Sequence, residues 1–148
     1  MNTEASTRRW LTGESVNQGY PILFRRPNIA VSEYASLAKL YPVLIIGTLQ
    51  LAKFKDNGLP EAAYNESLAG LDSAITNPFR TGADGIVGLV ETFAAKRTFY
   101  LYVTTTFDVD HFTKSLSSSF PGEDLTWERK DDPTWKLLNG YASDFRFA

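Results

Sequence analysis

Two short segments of this chain are apolar at nearly every position: Val43-Leu44-Ile45-Ile46 and Phe99-Tyr100-Leu101-Tyr102-Val103. Successive side chains of a strand point to opposite faces, so a strand with no polar parity must be covered on both sides. Such strands sit in the interior of a sheet that carries material on each face. In the second segment, Phe99, Leu101 and Val103 form a wholly apolar face, suited to lie beneath helices. Tyr100, Tyr102 and Thr104 form the other face, which meets water unless another part of the chain lies over it.

The surrounding pattern supplies the remaining layers. Residues 8–13 and 20–26 read as two strands around a polar loop at 14–19, an N-terminal β-hairpin spanning 8–26. Tyr34, Leu37, Ala38 and Tyr41 repeat at helical spacing within 32–41, and Pro42 stops that helix. After the strand at 43–51, Asn57-Gly58 and Pro60 mark a turn into a helix at 61–76, carried by Tyr64, Leu68, Leu71 and Ile75. Strands at 84–93 and 97–105 are separated only by the Ala94-Ala95-Lys96 stretch, which predicts an antiparallel pair. A helix at 108–120 and a strand at 125–130 complete the order β-α-β-β-α-β over residues 43–130. That is the split βαβ, ferredoxin-like arrangement, in which the first and third strands are central. The two doubly apolar segments fall on those two strands. The expected fold is therefore α+β, one domain over 1–148, with a ferredoxin-like core at 43–130 and an aromatic tail at 133–148.

Composition narrows the chemistry. The chain has 148 residues, 43% hydrophobic, enough for one substantial core. It contains no cysteine, which excludes disulfides, thiol nucleophiles and thiolate metal sites, and fits a reducing cytoplasm. No secretory signal or apolar run long enough to span a bilayer is visible, so a cytoplasmic protein away from membranes is expected. A formal charge of −2 argues against a domain built mainly to grip phosphates.

Asp108, Asp110 and His111 invite a metal or acid/base reading. His111 is the single histidine, so no second imidazole completes a zinc site. Asp108 as a helix cap and Asp110 in the first turn explain the cluster better. The glycines in 81–88 lack the lysine of a phosphate loop, and no serine sits in a nucleophile elbow. Arg8-Arg9 and Arg25-Arg26 could form a small cationic patch across the hairpin. Catalytic residues, cofactors and metals are therefore expected to be absent. Tyr100 and Tyr102 also suggest a nucleic-acid stacking platform, but the glycines of the RNA-recognition signature are missing. Trp10, Tyr34, Tyr41, Trp135, Tyr141, Phe145 and Phe147 offer cover for that face instead.

Taken in order, Tyr41-Pro42, Asn57 to Pro60, the Phe99 to Val103 strand and Asp132-Pro133-Thr134-Trp135 make the chain resemble the bacterial domain of unknown function 695. The likeness covers roughly residues 8–141, and Tyr20 to Arg26 is similar to that family's opening hairpin. It implies a ferredoxin-like fold, distantly similar to the superfamily of the protein inhibitor of ribonuclease E. It implies no activity.

The leading expectation is a non-enzymatic binding or regulatory module that works through contacts with a protein partner or a second copy of itself. Exposed aromatics would carry those contacts, with Tyr100, Tyr102, Trp127 and Trp135 as candidates. The alternative is a small-ligand binder or enzyme with a pocket beside the Tyr100/Tyr102 face, and an RNA-binding domain is the third reading.

Overall fold

The computed structural model describes residues 9–144, which form a mixed α/β structure around one six-stranded antiparallel sheet. Its strands are β1 (Trp10–Asn17), β2 (Tyr20–Pro27), β3 (Val43–Gln50), β4 (Gly85–Phe93), β5 (Lys96–Val103) and β6 (Asp124–Asp131). The helices are α1 (Tyr34–Leu40), α2 (Ala62–Ser67), α3 (Ala69–Thr76), α4 (Val109–Ser119) and α5 (Lys136–Asp144). The sheet runs β1-β2-β4-β5-β3-β6, so β3 and β5 are interior. Arg8, Phe145 and Phe147 lie outside the described residues, as does the Tyr141 side chain.

Both faces of the sheet are packed, as the doubly apolar strands require. On one face Val43, Ile45, Phe99 and Leu101 meet Leu71 and Ile75 of α3 and Phe112 and Leu116 of α4. On the other, Leu44, Leu89 and Tyr102 meet Tyr34 and Leu37 of α1 and, from the C-terminal end, Trp135 and Leu138. The hairpin contributes Ile22 and Phe24 to this second core.

Three local features differ from the expectation. The hairpin strands are longer than its composition suggests, because Gln18 and Gly19 alone make the turn, both at positive φ. The expected 61–76 helix is two helices that meet at Leu68, where ψ opens to −5°. Ser67 Oγ donates to the Tyr64 carbonyl at 2.6 Å, a local bond that competes with the regular ladder. The C-terminal tail, for which the aromatic pattern gave no regular element, carries a helix, α5.

The turn between β4 and β5 is tighter than its residues favour. Ala94 and Ala95 carry it with φ values of 53° and 66°, in a region where an L-residue is strained. Backbone bonds to the 57–60 loop and to the residue after β3 hold it in place: Ala95 N–H donates to the Gly58 carbonyl at 2.9 Å, and Leu51 N–H donates to the Ala95 carbonyl at 2.9 Å. Replacing Ala95 by glycine relieves one strained residue while keeping both bonds. We expect stability to rise by about 1 kcal/mol, read as a higher midpoint in urea with an unchanged slope.

Candidate functional site

The sheet is wider than the helical layer that covers its first face. Where β1 and β2 extend past α3, a cleft of about 740 Å³ opens, floored by β1, β2 and β4 and walled by α2 and α3. This volume lies within the roughly 300–1,000 Å³ usual for small-molecule sites. The cleft joins apolar Leu23 and Val90 to a polar cluster of Arg25, Asn65, Asp72, Thr92 and Arg97.

Strand parity brings this cluster together. Arg97 lies on the same face of β5 as Phe99 and Leu101, so its guanidinium points into the helical layer, and its side chain is only 8% exposed. It is fully engaged. Nε donates to Thr92 Oγ1 at 3.1 Å, Nη1 to Asp72 Oδ2 at 3.1 Å and Nη2 to Asn65 Oδ1 at 2.7 Å. Register places Thr92 opposite Arg97, and Leu23 opposite Thr92.

Arg25 is held more loosely. Its Nη2 lies 3.3 Å from Asp72 Oδ2, and its guanidinium sits 5.4 Å from the centre of the Trp10 ring. The side chain stays 35% exposed, so the rest of the fork faces the cleft and solvent. Burial lowers the Arg25 pKa; Asp72 offsets that in part, and neighbouring Arg97 adds to the lowering. The second oxygen of Asp72 is buried and has no hydrogen-bond partner among the described residues. Two guanidiniums share the Asp72 carboxylate, and Glu14 at the exposed rim supplies the second negative charge of the lining.

The aromatic candidates do not form one surface. Tyr102 and Trp135 are both 0% exposed and stack on each other with ring centres 4.4 Å apart. Tyr100 is half-buried on that same face. Trp127 lies on the opposite face, against Phe112 and over Gly47, where an added Cβ would come within 2.6 Å of the indole. Trp135 covers the Tyr102 ring, and a cleft of about 470 Å³ opens next to it, lined by Leu44, Lys130, Asp132, Lys136 and Leu137.

Around Tyr102 the polar atoms are tightly committed. Its hydroxyl donates to Asp132 Oδ2 at 2.8 Å, while Lys136 and Leu137 N–H groups donate to the same carboxylate at the start of α5. Burial pushes the Tyr102 phenol well above its ordinary range, and the hydrogen bond and charge of Asp132 push it further. Burial, then Glu91, pushes Tyr100 up to about 12. Both folded values exceed the unfolded one, so the associated stability is complete below pH 10 and is lost as pH climbs from there toward the folded values. Melting temperature should therefore fall steadily above pH 10, and Tyr102→Phe should flatten that fall. Thermal melts across the alkaline range, with phenolate absorbance as a second signal, provide the check.

Asp108 of the acidic cluster near His111 has a structural role. Asp108 Oδ1 accepts the His111 backbone N–H at 3.0 Å and caps α4, and His111 is exposed. No group of three or more metal-ligating side chains occurs among the described residues. Of the four arginines expected near one another across the hairpin, Arg8 lies outside the described residues, and Arg25 and Arg26 face opposite ways as adjacent strand residues do. Arg25 enters the cleft, whereas Arg26 Nη1 donates to Tyr34 Oη at 2.9 Å on the other face. No helix among the described residues is long and apolar enough to cross a membrane.

A model described as a family of unknown function, DUF695, matches residues 8–141. No curated protein and no solved structure matches the chain.

Proposed function

Since the chain belongs to DUF695, a family of unknown function that lends it no activity, we propose from the cleft alone that the protein is a binding module for small carboxylate-bearing ligands. The observation that carries this reading is Arg25, a half-exposed guanidinium anchored by Trp10 and Asp72 with its remaining N–H groups open to the cleft. A planar fork of this kind suits a carboxylate. Asp72 and the nearby Glu14 disfavour multiply charged phosphates, and Leu23 and Val90 suit an apolar body.

Thermal shift and calorimetry with monocarboxylates, dicarboxylates and polyphosphates test the proposal. A monocarboxylate at about 100 times its Kd should add roughly 2.7 kcal/mol, raising Tm by about 5–10 °C. Arg25→Gln should abolish that rise. A panel in which no carboxylate moves Tm, or in which Arg25→Gln responds like the wild type, would overturn the assignment.

We assign the 43–131 portion to the ferredoxin-like split βαβ arrangement. The β4-β5-β3-β6 order, with α2 and α3 between β3 and β4 and α4 between β5 and β6, supports it. The likeness to the ribonuclease E inhibitor superfamily is an analogy of shape and transfers no role. A bacterial, cytoplasmic setting belongs to the same proposal and fits the lack of cysteine. Contact with protein partners is a second reading, favoured by Trp10, Val16 and Tyr20, which stand 43%, 68% and 48% exposed on the hairpin.

A further inference from the structure

We infer that β1 is a self-pairing edge, through which two copies of the chain join their sheets antiparallel about a two-fold axis at Gly13. Among the described residues β1 pairs only with β2, over eight consecutive positions without a bulge. Its guards are few: Glu14 is the single charged residue between Trp10 and Asn17, and the strand has no proline, lysine or bulge.

The hydrogen-bonding parity of the free side is fixed by the hairpin. Asn28 N–H donates to the Arg9 carbonyl at 2.7 Å, so Arg9 and Asn28 form a bonded pair. Bonded and non-bonded pairs alternate along an antiparallel ladder. The N–H and C=O groups of Leu11, Gly13, Ser15 and Asn17 therefore face β2, and those of Trp10, Thr12, Glu14 and Val16 face outward. An antiparallel partner must match these outward residues to one another.

A single register does this best for a second copy of the same strand. With Gly13 opposite Gly13, Trp10 meets Val16 of the second copy and Thr12 meets its Glu14, each contact occurring twice. All outward backbone groups are then matched. The exposed Trp10 and Val16 cover each other, and Glu14 avoids its own equivalent. Gly13 at the axis presents no side chain to obstruct the approach. Shifting the strand one way by two residues sets Glu14 against Glu14; shifting it the other way sets Trp10 against Glu14. Only the Gly13-centred pairing satisfies hydrogen bonds, apolar contact and charge together.

The joined sheet has twelve strands, and both clefts open on the same side of it. Thr12 and Glu14 border each cleft, so Glu14 of the second copy stands beside Thr12 at the rim. The pairing is independent of whether the cleft holds a carboxylate.

Sedimentation equilibrium of the full chain over a wide concentration range tests the inference. A reversible dimer is expected. Thr12→Glu places two like-charged pairs across the axis and should weaken the dimer about tenfold. Adding Glu14→Lys to Thr12→Glu converts both pairs to opposite charges and should restore it, with circular dichroism showing that every variant is folded. A wild type that stays monomeric at hundreds of micromolar, or a dimer indifferent to Thr12→Glu, overturns the pairing. Carboxylate binding is scored separately by the thermal shift of Arg25→Gln, so either proposal can fail without the other.

Discussion

Trp135→Ala should lower stability by about 3–5 kcal/mol, moving Tm down by roughly 6–20 °C in a chain of this size. The indole is 0% exposed and locks three parts of the structure together. It stacks on Tyr102 of β5, contacts the Tyr34 ring of α1 at 5.6 Å between centres, and donates Nε1–H to the Tyr41 carbonyl at 2.8 Å. Truncation leaves a cavity where β5, α1 and the start of α5 meet, and strands the Tyr41 carbonyl without its donor. The backbone gains nothing in exchange, because Trp135 sits at a φ of 56° and alanine keeps that strain. Trp135→Phe keeps an aromatic ring against Tyr102 while losing the indole N–H and part of the buried ring, so it should cost clearly less than Trp135→Ala. Urea denaturation of the two variants gives the comparison. A Trp135→Ala protein that melts within a degree or two of the wild type would show that this side chain does not anchor the C-terminal helix.

Much of the architecture was readable from side-chain parity, because burial on both faces leaves a signature in consecutive residues. Val43 to Ile46 and Phe99 to Val103 are interior strands, and Trp135 is the cover that the Tyr102 face required. The break at Leu68 was hidden because the apolar stripe of Tyr64, Leu68, Leu71 and Ile75 continues through it; the interruption comes from a serine hydroxyl competing for a carbonyl. The turn at Ala94-Ala95 was legible from the short gap between two strands, but its tightness was hidden for a related reason. A two-residue turn there violates local preference and is imposed by bonds to residues some forty positions earlier in the chain.

The cleft was the least legible part. Arg25, Asp72 and Arg97 come from a hairpin strand, a helix and a central strand, and no spacing in the chain announces their meeting. One signal was present. Counting back by twos from Val103, Leu101 and Phe99 reaches Arg97, so parity alone places an arginine on the core-facing side. A charge at such a position requires a buried partner, and that requirement pointed to a polar cluster beneath the helices.

Arg97 carries the second large effect. Arg97→Met removes a side chain that is 8% exposed and leaves Asp72, itself only 20% exposed, paired with Arg25 alone at 3.3 Å. It also strands the amide oxygen of Asn65 and the Thr92 hydroxyl that accepted its N–H groups. Breaking one side of a buried ion pair costs roughly 3–5 kcal/mol. The remaining Arg25 and the partial exposure of Asp72 reduce this to about 2–4 kcal/mol. Removing the stranded charge as well should recover part of the loss, so Arg97→Met with Asp72→Asn should be more stable than Arg97→Met alone. That reversal distinguishes an electrostatic cluster from a simple packing defect, for which the two substitutions would add. Chemical denaturation of the single and double variants decides the matter. If the double variant is the less stable one, the Asp72 carboxylate is not what holds the two guanidiniums in place, and Arg25 loses the anchor that directs it into the cleft.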